Sequence, residues 1–344
     1  MNSKKLSTRY LYFLMIALLG VNGYISFDYK TPYPRPLGPT FTPRVKNEHI
    51  KAIDENRPEF VLIGDSTLEE GVEQSLLTQT LGRKTYKLSV RGSASAAWYL
   101  VMKNVIMKST HHPKYVVILF RDTMLTVPYF RTTGRYLELL DDYARKNEPV
   151  LIELAFVNQM NPAEKIMEQY LPLYGMRWDI RAELDHRLRY TAPSLIGCQK
   201  DCADDSVHSI FGRELDMIAL NQMIEDSVDS LYLPDEMDFA RHIDTSFLPV
   251  MIDLAEDNNT TLIFVRTGTL NNYAPVNSEP LALKNYIKSL NTYLSGHDNV
   301  YFLDFAYDPR IDTSFFADSV HFNAHGKELF TPILASELQA ILNK

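Results

Sequence analysis

Cysteine is nearly missing from this chain. Cys198 and Cys202 are the only two in 344 residues, so a disulfide-dense scaffold is excluded. Their Cys-x-x-x-Cys spacing is compatible with a local disulfide in an oxidising compartment or with two free thiols. As a metal pair it lacks a second Cys/His pair at ligand spacing. There is no phosphate-cradling P-loop, no GxGxxG after a strand and no HExxH pair, and no metal or other cofactor is expected. Excess positive charge is absent as well: the net charge is −8, which argues against a general nucleic-acid binder. The acidity is concentrated in residues 201–260, where fifteen Asp/Glu face only Arg213 and Arg241. Such a lobe repels polyanions. No internal repeat occurs. What is present is ordinary folded-protein material, 45% hydrophobic and 11% aromatic, enough for one large domain or two small ones.

The N-terminus, "MNSKKLSTRYLYFLMIALLGVNGYISFDYK", also lacks a lipobox cysteine and a small-x-small cleavage site. Lys4, Lys5 and Arg9 precede an apolar run from Tyr10 to Phe27, about the minimum length to span a bilayer. The spacing favours an uncleaved anchor over residues 1–27, with a cleaved signal or a buried helix as alternatives. The upstream charges place the N-terminus in the cytoplasm and the body outside, so the chain is expected in the inner membrane with a periplasmic body. Five prolines between Lys30 and Arg44 read as an extended tether over residues 28–57.

Short apolar runs at Phe60–Ile63, Thr85–Ser89, Tyr115–Phe120, Thr261–Val265 and Val300–Phe305 look like buried parallel strands. Helical patterns lie at Val72–Leu81, Ala94–Met107, Phe247–Glu256, Leu281–Leu294 and Lys327–Leu342. The alternation predicts an α/β fold, a flavodoxin-like three-layer αβα sandwich around a five-stranded parallel sheet. Ligands of such sheets bind beyond the carboxyl ends of the strands. Residues 58–122 and 244–344 supply this body. Residues 123–243 read as a helical insertion, expected to form a cap or substrate wall over that edge.

"EFVLIGDSTLEEGV" carries the first chemical signal: a buried strand ends in Gly64-Asp65-Ser66. A serine hydroxyl becomes a nucleophile only when a base takes its proton. Of nine histidines, His111 and His112 sit before Pro113, and His186, His208 and His242 fall in the insertion. "FFADSVHFNAHG" is different, because Asp318 lies three residues before His321 on the loop after the last strand. That spacing lets a carboxylate fix the imidazole tautomer and stabilise the imidazolium. His325 is a rival base without a carboxylate at that spacing, and is expected to cap the last helix.

"IGDST" near the start of the body and "DSVHFNAHG" near its end together resemble the SGNH (GDSL-like) hydrolase superfamily, over residues 58–342 apart from the insertion. The resemblance implies that Ser66 is the nucleophile and that Asp318 and His321 complete its triad. His321, Asn323 and Gly326 match the family's H-x-N-x-x-G continuation. It implies an oxyanion hole made by the Ser66 N–H, a second-block glycine, here Gly92, and a third-block Asn. The chain departs at the third block: "VILFRDTM" places Arg121 and Asp122 where Gly-x-Asn is expected. Asp is no donor unless protonated, whereas Arg121 offers several N–H groups. Arg121, Asp122 and Arg266, the last at the end of the fourth strand, are candidate substrate-binding residues. Arg266 alternatively pairs with the acidic lobe. Trp98, Tyr99, Tyr129, Phe130, Tyr170, Tyr174 and Trp178 are candidates for stacking on sugar rings, with core packing favoured for Trp98 and Tyr99.

An acyl-serine can pass its acyl group to water or to another hydroxyl. The combination of anchor and SGNH body resembles proteins that O-acetylate exopolysaccharides or cell-wall polymers beside a multi-spanning membrane acyltransferase. The expected activity is O-acetylation or O-deacetylation of an extracytoplasmic glycan, the expected ligands a carbohydrate or acyl ester. The alternatives are an extracytoplasmic lipase or thioesterase, and a non-catalytic scaffold subunit of a polysaccharide assembly.

Overall fold

The computed structural model describes residues 3–30, 33–133, 135–177, 180, 235–273 and 279–343. Cys198, Cys202, Trp178, His186, His208 and most of the acidic segment lie outside the described residues. In chain order the elements begin with α1 (Ser3–Tyr29), α2 (Asn47–Asn56), β1 (Phe60–Gly64), α3 (Ser66–Gly71), α4 (Gln74–Leu81) and β2 (Thr85–Ser89). Next come α5 (Ser95–Asn104), β3 (Tyr115–Phe120), α6 (Arg135–Asp141), α7 (Pro149–Ala155), α8 (Pro162–Tyr170) and α9 (Pro172–Gly175). After the gap follow α10 (Phe239–His242), α11 (Phe247–Glu256), β4 (Thr261–Arg266), α12 (Leu281–Leu294), β5 (Val300–Asp304) and α13 (Ala324–Leu342).

The chain divides into two compact units, residues 1–39 with 156–214 and residues 40–155 with 215–344. This division runs through the expected insertion, since residues 123–155 go with the sheet. In the second unit the five strands are all parallel, in the order β2-β1-β3-β4-β5. That is the doubly wound order of flavodoxin-like folds. β1 is buried along its whole length, and β3 and β4 from their second residues onward, as expected of strands covered on both faces.

Because side chains alternate along a strand, Phe60 and Leu62 join Val117, Leu119, Ile263 and Val265 in one layer, packed against Leu68, Leu77, Leu81, Phe330, Leu334 and Leu338 of α3, α4 and α13. α5 and α11 pack on each other and against β1 and β4. Tyr99 stacks on Phe247 there, with ring centroids 5.3 Å apart. Tyr99 and Trp98 are thus core residues. The expected helix Val72–Leu81 begins only at Gln74, as α4, because Val72 is extended and the Glu73 side chain caps α4 by accepting the Ser75 N–H; the short α3 precedes it.

The proline-rich stretch is less free than a tether. The Arg35 N–H donates to the Gln169 carbonyl, and its guanidinium donates to the Gly175 carbonyl. In the other unit the Arg44 and Lys46 N–H groups bond the carbonyls of Asp141 and Asp142, and residues 47–56 form α2. These backbone bonds pin a segment whose prolines offer no N–H of their own.

Two residues of the last block do structural work. Asn323 Oδ1 accepts the Gly326 N–H at 2.8 Å and caps α13, so the cap expected from His325 falls instead to Asn323; His325 is exposed. Asn323 Nδ2 donates to the carbonyls of Ser314 and Phe316. A Cβ on Gly326 would stand 2.1 Å from the Phe315 carbonyl oxygen. Gly326→Ala should therefore cost about 1–3 kcal/mol of stability, measured as a drop in Tm, whereas an unchanged Tm would mean that the 313–316 turn yields freely.

Candidate active site

β1 delivers Gly64 to the carboxyl edge of the sheet, Asp65 turns the chain, and Ser66 is the first residue of α3. A Cβ on Gly64 would lie 2.7 Å from Leu68 Cβ and 3.3 Å from Leu119 Cβ. The glycine thus lets the turn of α3 fold back tightly on the strands. Asp65 is the helix cap: its Oδ1 accepts the Thr67 N–H at 2.8 Å and the Thr67 hydroxyl at 2.7 Å. An Asp cap is worth about 1 kcal/mol, and here it also sets where the serine emerges.

The loop after β5 returns to the same edge. Ser66 Oγ lies 2.7 Å from His321 Nε2, and His321 Nδ1 lies 2.8 Å from Asp318 Oδ2 and 3.1 Å from Oδ1. With Asp318 ionised, Nδ1 carries the proton and donates it, which leaves Nε2 to accept from the serine hydroxyl. Asp318 Oδ1 also accepts the N–H groups of Val320 and His321, each at 2.8 Å. The His321 carbonyl accepts the Ala317 N–H at 2.8 Å. Burial pushes the Asp318 carboxyl up, but the bonds from the His321 ring and from the Val320 and His321 backbone outweigh it and hold the group below its ordinary value.

β2 ends one strand away. The Val90 N–H bonds the Gly64 carbonyl at 2.9 Å, and the Ser93 hydroxyl reaches the same carbonyl at 3.4 Å. Trp98 Nε1 in turn donates to Ser93 Oγ at 2.8 Å. Between them Gly92 takes a φ of +75°, and the space where its Cβ would project is closed by Tyr136 at 3.1 Å. Arg91 ties this turn to α3 through Glu69, at 2.7 and 3.0 Å, and Glu70, at 2.7 Å. A GDS serine after β1, a glycine turn after β2 and an Asp-x-x-His loop after β5 thus meet on one edge. This is the arrangement that the resemblance to the SGNH superfamily implies.

The third block is where the site departs from that resemblance. Arg121 follows β3 directly and is 2% exposed. Its Nη2 lies 3.7 Å from Asp65 Oδ2, and Arg131 Nη1 lies 3.5 Å from the same oxygen. Nε and Nη1 of Arg121 have no hydrogen-bond partner among the described residues. The buried carboxylate next to Ser66 is thus faced by two guanidinium groups. Asp65 and Arg131 were not expected from the sequence: Arg131 lies in an irregular segment without a motif, while the Asp-x-Thr capping pattern did hold a signal for Asp65. Arg131 also lies over the rings of Phe130 and Tyr136, 5.0 and 5.8 Å from their centroids, and Tyr136 closes the space at Gly92.

Arg266 and Asp122 take a different place from the one expected. Arg266 is 1% exposed and pairs with Asp122 at 3.0 Å, Asp304 at 3.2 Å and Glu279. Burial pulls its proton affinity down, but the three carboxylates outweigh that and hold it above the ordinary value. Its donors are spent on a buried ion network, so the geometry offers a structural role in place of substrate binding. Among the described residues its partners do not come from the 201–260 segment. Asp122 sits in the left-handed region, with φ +42°, an uncommon conformation for a residue with a side chain. No His/Cys/Asp/Glu cluster suited to a metal occurs among the described residues.

No family model matches the chain, and no curated protein matches it. Solved structures that resemble it include one described as an acylhydrolase from Bacteroides fragilis, at 12% identity and a TM-score of 0.40 over 84% of this chain and 90% of that one. A GDSL-like lipase from Bacteroides thetaiotaomicron has 11% identity and a TM-score of 0.37 over 82% and 88%. A carbohydrate esterase family 2 enzyme of Corynascus thermopiles (Myceliophthora fergusii), with a carbohydrate-binding domain, has 11% identity and a TM-score of 0.33 over 90% and 69%. Likenesses this distant carry no argument about chemistry.

Asp318 has both a catalytic and a titration signature. Its folded-state pKa lies below its ordinary value of 3.8, so its contribution to stability is present above that pH and drains away as pH falls through the lower folded value. Asp318→Asn should lower kcat by about 10⁴-fold and lower Tm at neutral pH. The Tm gap to wild type should close on acidification, and a gap that persists in acid would contradict the assignment.

Proposed function

We propose that this chain is an extracytoplasmic serine enzyme that moves an acyl group, most simply acetyl, onto or off a hydroxyl of an exopolysaccharide or cell-wall glycan. The observation that carries the enzymatic part is the unbroken hydrogen-bonded chain Ser66–His321–Asp318 at the carboxyl edge of the sheet. His321 takes the Ser66 proton as Oγ attacks the ester carbonyl, and returns it to the departing alkoxide. The backbone N–H groups of Ser66 and Gly92 are the hole for the oxyanion. Arg121 takes the part of the missing Asn through its unbonded N–H groups and its charge. The acyl-serine is then discharged by water or by a sugar hydroxyl activated by the same imidazole. An unbroken triad speaks against the scaffold alternative.

The location supports the glycan reading. α1 contains a 20-residue apolar span, Arg9–Asp28, long enough to cross a bilayer. The basic residues before it orient the body outward. An anchored SGNH body outside the cytoplasm resembles the glycan O-acetylating proteins that draw their acyl group from a multi-spanning membrane acyltransferase. That makes such a protein the partner to seek.

A fluorophosphonate probe should label the wild-type chain and leave Ser66→Ala unlabelled; a folded wild type that resists labelling would remove the enzyme reading. Arg121→Ala should lower kcat by about 10²–10³-fold while Ser66 remains open to the probe. With an acetyl-ester donor, added sugar oligomers should speed donor consumption and yield acetylated sugar. Acetate release indifferent to sugar would instead identify an esterase.

A further inference from the structure

α1 carries an observation that a simple anchor does not require. Among its described side chains, from Arg9 to Asp28, only Asn22 and Ile25 are buried. They lie three residues apart on one helical face. Asn22 Nδ2 donates to the Leu18 carbonyl at 2.7 Å, and its Oδ1 accepts the Leu173 N–H at 2.8 Å. α1 packs against α9, and Leu173 is the second residue of α9. An amide inside an apolar span is costly unless its hydrogen bonds are met, and here α9 meets one of them.

The position of that bond fixes a depth. Asn22 lies six residues before Asp28, the end of the apolar span, which is about 9 Å along a helix axis. A backbone N–H of α9 that reaches Asn22 therefore lies on the membrane side of the level of Asp28. α8 leads into α9 and is bound to the same layer. Its Glu168, 2% exposed, pairs with Arg177, while Arg35 bonds the Gly175 carbonyl. The opposite face of α8 shows Ala163, Ile166 and Tyr170, a three- and four-residue spacing without a charge. Ile166 is 62% and Tyr170 61% exposed. A large apolar residue and a tyrosine on one exposed face suit the boundary between headgroups and acyl chains.

We propose, on the reading that α1 spans a bilayer, that α8 and α9 form a second membrane contact: the Ala163–Ile166–Tyr170 face lies in the headgroup–acyl boundary of the leaflet crossed by the C-terminal half of α1. The occupant of this face is phospholipid. Its continuity with the span through the Asn22–Leu173 bond selects lipid over a protein partner. The 1–39 and 156–214 unit is then held by an interfacial hairpin as well as by a single helix.

The test uses the full chain in vesicles of phosphatidylethanolamine and phosphatidylglycerol, with a tryptophan added at Tyr170 or, as a reference within the span, at Ile16. After subtraction of the parent emission, Tyr170→Trp should be quenched by lipid brominated near the headgroup and Ile16→Trp by lipid brominated deep in the acyl chains, both being shielded from aqueous acrylamide. If Ile16→Trp is quenched by lipid while Tyr170→Trp answers only to acrylamide, the docking fails and the anchor stands. If Ile16→Trp is itself unquenched, the anchor reading fails and takes the docking with it. A photo-crosslinking residue at Ile166 should yield phospholipid adducts; adducts to peptide, from this chain or another, would overturn the assignment.

Discussion

Asp318 accepts the N–H groups of Val320 and His321 through one carboxylate and receives the imidazole N–H as well. The loop it closes is otherwise held by the Phe316–Phe322 bridge and the bond from the Ala317 N–H to the His321 carbonyl, neither of which orients the His321 ring. With Asp318 in place, His321 is fixed in ring orientation and tautomer, and Nε2 meets Ser66 Oγ at 2.7 Å. The rest of the second unit acts to keep that meeting point still. β1 and β5 end on the same edge because all five strands run parallel. α13 starts against the 313–316 turn because Asn323 and Gly326 hold it there. Loss of the carboxylate would leave a satisfied sheet and an undirected base.

The electrostatics around the serine have a second centre. Asp65 shares its carboxylate between the cap of α3 and two guanidinium groups, with Thr67 on one oxygen and Arg121 and Arg131 near the other. A buried charge is tolerated when it is paired and hydrogen-bonded, and Asp65 has both kinds of partner. On the proposed mechanism a tetrahedral oxyanion would add negative charge beside these groups. A neutral Asn gives only an amide dipole, so an Arg at this strand end gives the site a stronger field at the cost of a buried guanidinium with unmet donors.

Strands and helices of the sheet unit were legible because burial on both faces writes continuous apolar runs into the sequence. Thr85–Ser89, Tyr115–Phe120, Phe247–Glu256 and Leu281–Leu294 have the ends read from the pattern. That Ser66, Asp318 and His321 come together was legible because a serine at a strand end and an Asp-x-x-His pair keep fixed local spacing. The ion network was not. Arg266 finds Asp122, Asp304 and Glu279 through the order of strands and loops in space, and no local spacing encodes that. The same holds for Arg131 at Asp65. Asn323 as cap was hidden behind a histidine that looked more reactive. The pinned proline segment was misread because an extended backbone reads the same in sequence whether or not a neighbour bonds it.

Trp98 Nε1 donates to Ser93 Oγ, and that hydroxyl reaches the carbonyl of Gly64, two residues before Ser66. The indole is buried, and it is one of only two in the chain. The protein thus carries a built-in optical reporter wired by two hydrogen bonds to the backbone that presents Ser66. A shift of that backbone on acylation alters the polarity felt by the indole. On the proposed mechanism, stopped-flow emission would follow formation and decay of an acyl-serine without a chromogenic substrate.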